Sequence, residues 1–423
     1  MEKEEGTARL HESPKLTSKY ASFMMNSRSG SSIMRHIAAF EEELVYLEKP
    51  FSEVGLWYYV VKYLKVMALG VFMSTDYIGE NLISTMGFYL CNQTGNEIVS
   101  ASFGIALFMV SLFLLCFMTT IAEKTTMTCA LAFGQKKFKA CKRYFIKGVF
   151  TQLMYFSLVI IPLAIFAEKF IDMYGLEEGV RTLCSRYFRK MLVINMTFSA
   201  SEILRGYIAA QGHEDIVIML AFGNLASSIC LFGYFCWYLN YGLDGWFLAN
   251  TLQKVFQVVS ILITSYFKVD KRTRNGFTWE DLTEGYWQYF KETVEYTVGA
   301  LCEEVVFQLS TLLVNLTQDA SQIAAQTAII NTISYIYETS PGFTLVARLR
   351  LGILLGRKKV QAAKRLFHSV FIGMFCTALL VGLLLVTFTD ELSSVYSSNN
   401  EEVDSYVRPL IVEVCIFIGP IFT

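Results

Sequence analysis

Charge is what this sequence has least of. Only 17% of its 423 residues are Asp, Glu, Lys or Arg, against 54% hydrophobic ones. That balance excludes an ordinary soluble domain and suits a chain that crosses a bilayer many times. Catalytic signatures are missing too: no Walker loop, HExxH or GxSxG occurs, so ATP hydrolysis and the common hydrolase chemistries have no residues to stand on. Any work must come from a gradient. The ten cysteines form no CxxC pair, and several (Cys116, Cys230, Cys302, Cys376) lie inside apolar runs, as small packing residues do. The four histidines, His11, His36, His213 and His368, fall in the tail or in connections. No metal or other cofactor is expected, and a net charge of −1 points to no nucleic-acid partner. Residues 1–55 lack the apolar core and cleavage site of a secretory signal and read as a polar cytosolic tail.

What is present is apolar length. Ile98–Ala122, Gly148–Ala167, Ile216–Asn240 and Ser369–Thr389 carry no charged residue, and each can cross a hydrocarbon core of roughly 30 Å. With the runs that hold one or two ionisable residues they give ten expected spans: Leu69–Leu90, Ile98–Ala122, Gly148–Ala167, Met191–Ala210, Ile216–Leu239, Trp246–Phe267, Tyr296–Leu316, Ile323–Val346, Ser369–Thr389 and Val407–Thr423. Trp57, Tyr58, Tyr59, Lys62 and Lys65 read as an interfacial lead-in. The connection after the second span holds Lys124, Lys136, Lys137, Lys139, Lys142, Arg143 and Lys147; the one after the eighth holds Arg357, Lys358, Lys359, Lys364 and Arg365. Both should be cytosolic by the positive-inside rule, which puts the N-terminus inside. Glu168–Lys190 falls outside despite Arg181, Arg186 and Arg189.

Those two basic connections also match in sequence. Gly134–Phe145 and Gly356–Phe367 share Gly-x-Lys-Lys-x-x-Ala-x-Lys-Arg-x-Phe at an offset of 222, and an offset of 223 superposes Asn92-Gln-Thr94 on Asn315-Leu-Thr317. The chain therefore reads as two copies of one unit. An even number of spans per copy makes them parallel, with a substrate site where they meet. The expected class is an all-α polytopic membrane protein: an N-lobe of six spans over 56–267, a cytosolic linker over 268–284, and a C-lobe of four spans over 285–423, which reads as incomplete. Asn92 and Asn315 also fit the glycosylation sequon but lie close to the membrane.

Carboxylates inside spans are costly and usually face a cavity or a partner. Asp76 and Glu80 lie four apart, hence on one helical face, where repulsion favours a proton on at least one of them. Glu303 and Glu304 sit mid-span about 100° apart around the axis, and the offset of 223 carries Glu80 onto Glu303. Proton or cation work is expected of Glu303, Glu80 and Asp76. Glu202 with Arg205, Glu338, and Arg408 with Glu413 read as paired or interfacial. Pro162, Pro341 and Pro409 can bend their spans or serve packing alone.

These residues resemble the multidrug and toxic compound extrusion (MATE) transporters from about Lys65 onward. Ala130-Leu-Ala-Phe-Gly134-Gln-Lys-Lys looks like that family's second-span exit, Arg205–Gly212 its fourth-span end, and Gly242-Leu-Asp-Gly245 its entry to the sixth. Pro341-Gly-Phe and Arg350-Leu-Gly352 with Gly356 look like its eighth-span pattern. The resemblance implies a twelve-span antiporter of two lobes around a central cavity, exporting organic cations or other xenobiotics against protons or sodium. It places the coupling glutamate on Glu303 and the substrate pathway at Glu304, Gln308 and Asn331. It also implies a monomer in the plasma membrane or a vacuolar or other endomembrane. Leu131 and Ile353 depart from the pattern, as does the loss of the tryptophans after the glutamate. Two rivals remain open: a flippase for lipid or polysaccharide precursors, and a non-transporting truncated paralogue.

Overall fold

The structure, a computed structural model, describes residues 56–173, 178–270, 273, 276, 278–315, 320–397, 405–409 and 412. Among them there is no strand, as a chain in lipid requires when each helix satisfies its own backbone. In chain order the helices are α1 (Leu56–Gln93), α2 (Glu97–Val110), α3 (Cys116–Gly134), α4 (Phe138–Tyr155), α5 (Ile161–Ile165), α6 (Ala167–Asp172), α7 (Glu178–Ala210) and α8 (Glu214–Phe232). They continue with α9 (Gly242–Lys268), α10 (Trp279–Thr283), α11 (Tyr286–Asn315), α12 (Ala320–Tyr337), α13 (Ser340–Gly356), α14 (Val360–Thr387) and α15 (Thr389–Ser397). Single π turns at Ser111–Leu115 and Phe156–Ile160 join α2 to α3 and α4 to α5, so each pair acts as one bent span. A third, Gly233–Tyr238, ends α8.

Five described stretches are long and apolar enough to cross a membrane on composition alone: Ile98–Gly134, Phe138–Ile165, Glu214–Tyr238, Gly242–Lys268 and Val360–Thr387. The α1 helix carries Asp76 and Glu80 inward, and α7 carries Glu202 and Arg205 inward and Glu178, Arg181, Arg186, Arg189 and Lys190 at its outer end, so both are more polar. Several expected boundaries move. The first span begins at Leu56, making α1 38 residues long. Lys124 belongs to α3, and Lys142, Arg143 and Lys147 to α4, so the basic connection shrinks to Gln135–Lys137. The eighth span is interrupted at Glu338–Thr339 and resumes with Pro341 in the first turn of α13, where a missing N–H costs nothing. Ser74 of α1 donates to the Thr339 carbonyl at this break, 2.6 Å away. The charges of Arg181 and Arg189 are met by Asp172 (2.5 Å) and Glu168 (3.1 Å), which explains a basic segment on the face opposite the basic connections. The 1–55 tail, most of the tenth span, Glu413, and the side chains of Trp57, Tyr58, Tyr59 and Lys62 lie outside the described residues.

The internal repeat is written in the backbone. Helix α3 ends with Lys136 left-handed (φ 59°), and α13 ends with Lys358 left-handed (φ 62°). Lys137 N–H donates to Ala132 O at 2.9 Å and Lys359 N–H to Leu354 O at 3.0 Å; Lys136 donates to Phe133 O and Lys358 to Leu355 O, both at 2.9 Å. This is one helix-ending motif made twice, 222 residues apart, with lysine where glycine is usual. The two ends also pack on each other reciprocally. A Cβ on Gly134 would lie 2.6 Å from Ile353 O, and one on Gly356 would lie 2.6 Å from Leu131 O. Leu131 and Ile353 are themselves a repeat pair, so this contact is two-fold symmetric in kind. Nearer mid-membrane, Thr120 meets Thr297 through their hydroxyls at 3.0 Å, and their repeat mates Gly342 and Ser74 are also neighbours, a Cβ on Gly342 having no room beside the Ser74 hydroxyl.

Among the described residues two large apolar cores form, with a small third around Ile336, Ala378 and Leu385. One lies at the basic end, where α3 and α13 meet around Phe133, Phe343, Leu349 and Ile353. The other fills the opposite half of the first copy around Phe103, which sits edge-on to Phe88 and Trp246 at 5.1 Å each. Large apolar side chains such as Leu158, Ile229, Phe267 and Leu383 are exposed, as a lipid-facing belt requires.

Candidate functional site

Four helices of the first copy converge on a buried charged cluster. From α1, Asp76 and Glu80 turn inward one helical turn apart; α7 brings Glu202 and Arg205, α8 brings Asn224, and α9 brings Gln253 and Lys254. Arg205 is the hub. One of its terminal nitrogens donates to Asp76, the other to Glu202 Oε2 (2.6 Å) and the Tyr77 hydroxyl (2.7 Å), while its plane sits 5.0 Å from the Tyr77 ring centroid. Asn224 Nδ2 donates to the other Asp76 oxygen at 3.3 Å. Glu80 pairs with Lys254, whose ammonium lies 4.2 Å from the Phe198 ring centroid.

The two carboxylates expected to repel each other are thus separated onto two cations. Asp76 is 4% exposed and held by Arg205, whereas Glu80 keeps 26% of its side chain open. Glu80 also lines a small, partly open cavity with Thr75, Asp76, Gly79, Ile83, Asn224, Leu225, Ser228 and Gln253. Glu202 is paired with Arg205 through one oxygen; among the described residues its buried Oε1 meets no donor, nor do Asn250 Oδ1, Gln253 Oε1 and Gln257 Oε1.

The charge count decides what this arrangement can do. Among the described residues Asp76, Glu80 and Glu202 face Arg205 and Lys254, three negative charges against two positive. An uncompensated charge in low dielectric is strongly disfavoured, so the cluster is complete only with one further positive charge.

Glu303, Glu304, Gln308 and Asn331 fall on α11 and α12, and their side chains lie outside the described residues. Sequence reasoning missed Lys254, Asn224 and Gln253. A signal was available: Asn250, Gln253, Lys254 and Gln257 recur at i, i+3, i+4 and i+7 and form one buried polar stripe on α9.

Comparison with known proteins agrees with the fold. The MatE family model matches residues 73–234. A probable multidrug resistance protein NorM from Bacillus cereus is 22% identical over 315 residues, covering 71% of this chain and 66% of that protein. The multidrug and toxin extrusion protein 2 of Mus musculus is 23% identical over 215 residues, covering 50% of this chain and 37% of that protein. The chain thus spans about two thirds of the NorM relative's length, and less of the mouse protein's. Among solved structures, the eukaryotic MATE transporter AtDTX14 superposes with a TM-score of 0.74 at 15% identity, covering 85% of this chain and 80% of that one. A variant of the Vibrio cholerae MATE transporter VcmN gives 0.71 at 16% identity, covering 86% and 82%. The family model takes in Asp76, Glu80, Glu202, Arg205 and Asn224 of the charged cluster and ends before Gln253 and Lys254, and the all-helical fold is that of the solved MATE transporters: the chain is similar to that family in residues 73–234 and in its fold.

Proposed function

We propose that this chain works as a secondary antiporter, moving organic cations or similar amphiphiles in one direction and protons, or sodium, in the other. The observation that carries the reading is the unbalanced cluster: among the described residues three carboxylates share two cations beside a cavity with no Lys or Arg in its lining. The first copy therefore holds one exchangeable positive charge. Glu80 opens to the cavity and accepts it from there, while Asp76 and Glu202 fix Arg205, with Glu202 Oε1 as the free acceptor. Glu303 is the matching group of the second copy, with Glu304, Gln308 and Asn331 along the substrate path. A flippase for anionic lipid or polysaccharide precursors would need a basic lining, and the acidic one speaks against it.

In this reading the lobes are 56–267 and 285–423, joined by a linker over 268–284. The basic connections and the N-terminus face the cytosol. Vesicles carrying the protein and loaded with an acid-inside pH gradient provide the test, with tetraphenylphosphonium as probe. Glu303→Gln and Glu202→Gln should each abolish gradient-driven movement of the probe while leaving expression intact. Wild-type rates in both variants would remove the mechanism.

A further inference from the structure

A second set of charges lies at the seam between the two copies. Arg348 of α13 pairs with Glu123 of α3 at 2.5 Å, and Tyr296 of α11 donates to the other Glu123 oxygen at 3.0 Å. Lys124 of α3 pairs with Glu292 of α11 at 3.1 Å. Arg348 is aimed by its own helix, donating from Nε to Thr344 O (3.2 Å) and from Nη2 to the Thr344 hydroxyl (3.0 Å). Every one of the ion pairs joins a first-copy helix to a second-copy helix.

Their depth is set by sequence. Glu123 and Lys124 precede Gly134 by about three turns, Arg348 precedes Gly356 by about two, and Glu292 and Tyr296 follow the start of α11 by two or three. At 1.5 Å per residue that is roughly 9–16 Å in from the basic face, within the half of the membrane on that side. The reciprocal glycine contact of α3 on α13 closes the same half.

Charge again separates the possible roles. Glu123 and Glu292 against Lys124 and Arg348 is neutral, so this set has no ion to exchange, unlike the first-copy cluster. It is also only half dry: Lys124 and Arg348 are 11% and 12% exposed, but Glu292 and Glu123 are 41% and 31% exposed. Such carboxylates are already partly hydrated and can return to water at little cost when the copies part, whereas a fully buried pair could not.

We infer that Glu123–Arg348 and Lys124–Glu292 form a releasable ionic latch that holds the basic half of the pathway shut between the two copies and must break in each transport cycle. Arg348 and Glu123 act as positioning residues and touch no substrate. Its purpose rests on the transport reading, but it can be read without transport.

Thr120→Cys with Thr297→Cys provides the reporter. The two hydroxyls lie 3.0 Å apart between α3 and α11, one turn from Glu123 and beside Tyr296, so oxidation with copper phenanthroline in nanodiscs should join the closed copies. Arg348→Glu should lower the cross-linked fraction several-fold, and adding Glu123→Arg should restore it towards the parent value. Parent-level cross-linking in Arg348→Glu, or no recovery in a swapped variant that elutes as a folded monomer, overturns the latch. If the reversal does not fold, Glu123→Gln is read the same way. Cross-linking unchanged by that variant, or failure of every latch variant to fold, makes the pairs purely structural and also overturns the proposal. Loss of the latch with normal proton-driven movement of probe would leave the antiport reading standing.

Discussion

At the scale of single residues, the cost of burial dictates the arrangement. Lys254 is 1% exposed and its ion-pair partner in the structure is Glu80, so removing either one alone strands the other. Lys254→Met should lower stability by about 3–5 kcal/mol, the range for breaking a buried pair from one side. Glu80→Gln added to it should recover most of that loss. Thermal melting in detergent of the four members of this cycle checks the coupling; additive losses would mean that the pair contributes nothing. Asp76 and Glu80 were legible in the sequence because carboxylates are conspicuous in an apolar run. Their partners were not, because pairing between α1 and α9 depends on helix rotation and on which helices are neighbours, neither of which one span's sequence records. Glu202 with Arg205 was legible as a pair because the two lie one turn apart on the same helix.

At the scale of helices, the closest approaches are made where side chains are absent. Gly134 meets the Ile353 backbone with no room for a Cβ, whereas Gly223 of α8 has nothing within 4 Å. Gly134→Val should therefore cost about 1–3 kcal/mol by forced separation of α3 from α13, and Gly223→Ala should be neutral or slightly stabilising. Melting curves of the two variants compare them directly, and equal shifts would argue against the tight seam. The repeat that locates this seam was readable from twelve aligned positions, since the helix-ending motif at Lys136 and Lys358 is local chemistry. That the two copies of the motif face each other was not readable from either one. The break at Glu338–Thr339 was only half legible: Pro341 offered a bend, but the polar residues before it read as part of one continuous span, and the carbonyl taken up by Ser74 shows only in three dimensions.

At the scale of the whole molecule, the segment between the two copies is strapped to the first. Asp281 of α10 pairs with Lys142 (2.6 Å) and Arg143 (3.1 Å), Arg143 also reaches Glu284 (2.6 Å), and Lys147 donates to the Glu284 carbonyl. The hydrogen bond from Lys142, helped by Thr278 and Arg143, holds the Asp281 carboxyl well below the usual carboxylate range. Because the folded value is depressed, the strap contributes fully above the free-chain value of about 3.9 and is lost as pH falls below it towards the folded value. Limited proteolysis between α9 and α11 should accelerate below about pH 4, and Asp281→Asn should show the faster cleavage already at neutral pH. Cleavage indifferent to both changes would mean that the strap bears no load.

The account as a whole stands on one missing positive charge in the first copy, and that charge can be counted. Binding of tetraphenylphosphonium to the purified protein in weakly buffered detergent, followed with a pH-indicator dye, should release about one proton per chain at this site. Release should vanish in Glu202→Gln, whose amide leaves the carboxylates and cations in balance. Binding of the probe with no proton released, or with the same release from Glu202→Gln, would contradict the account.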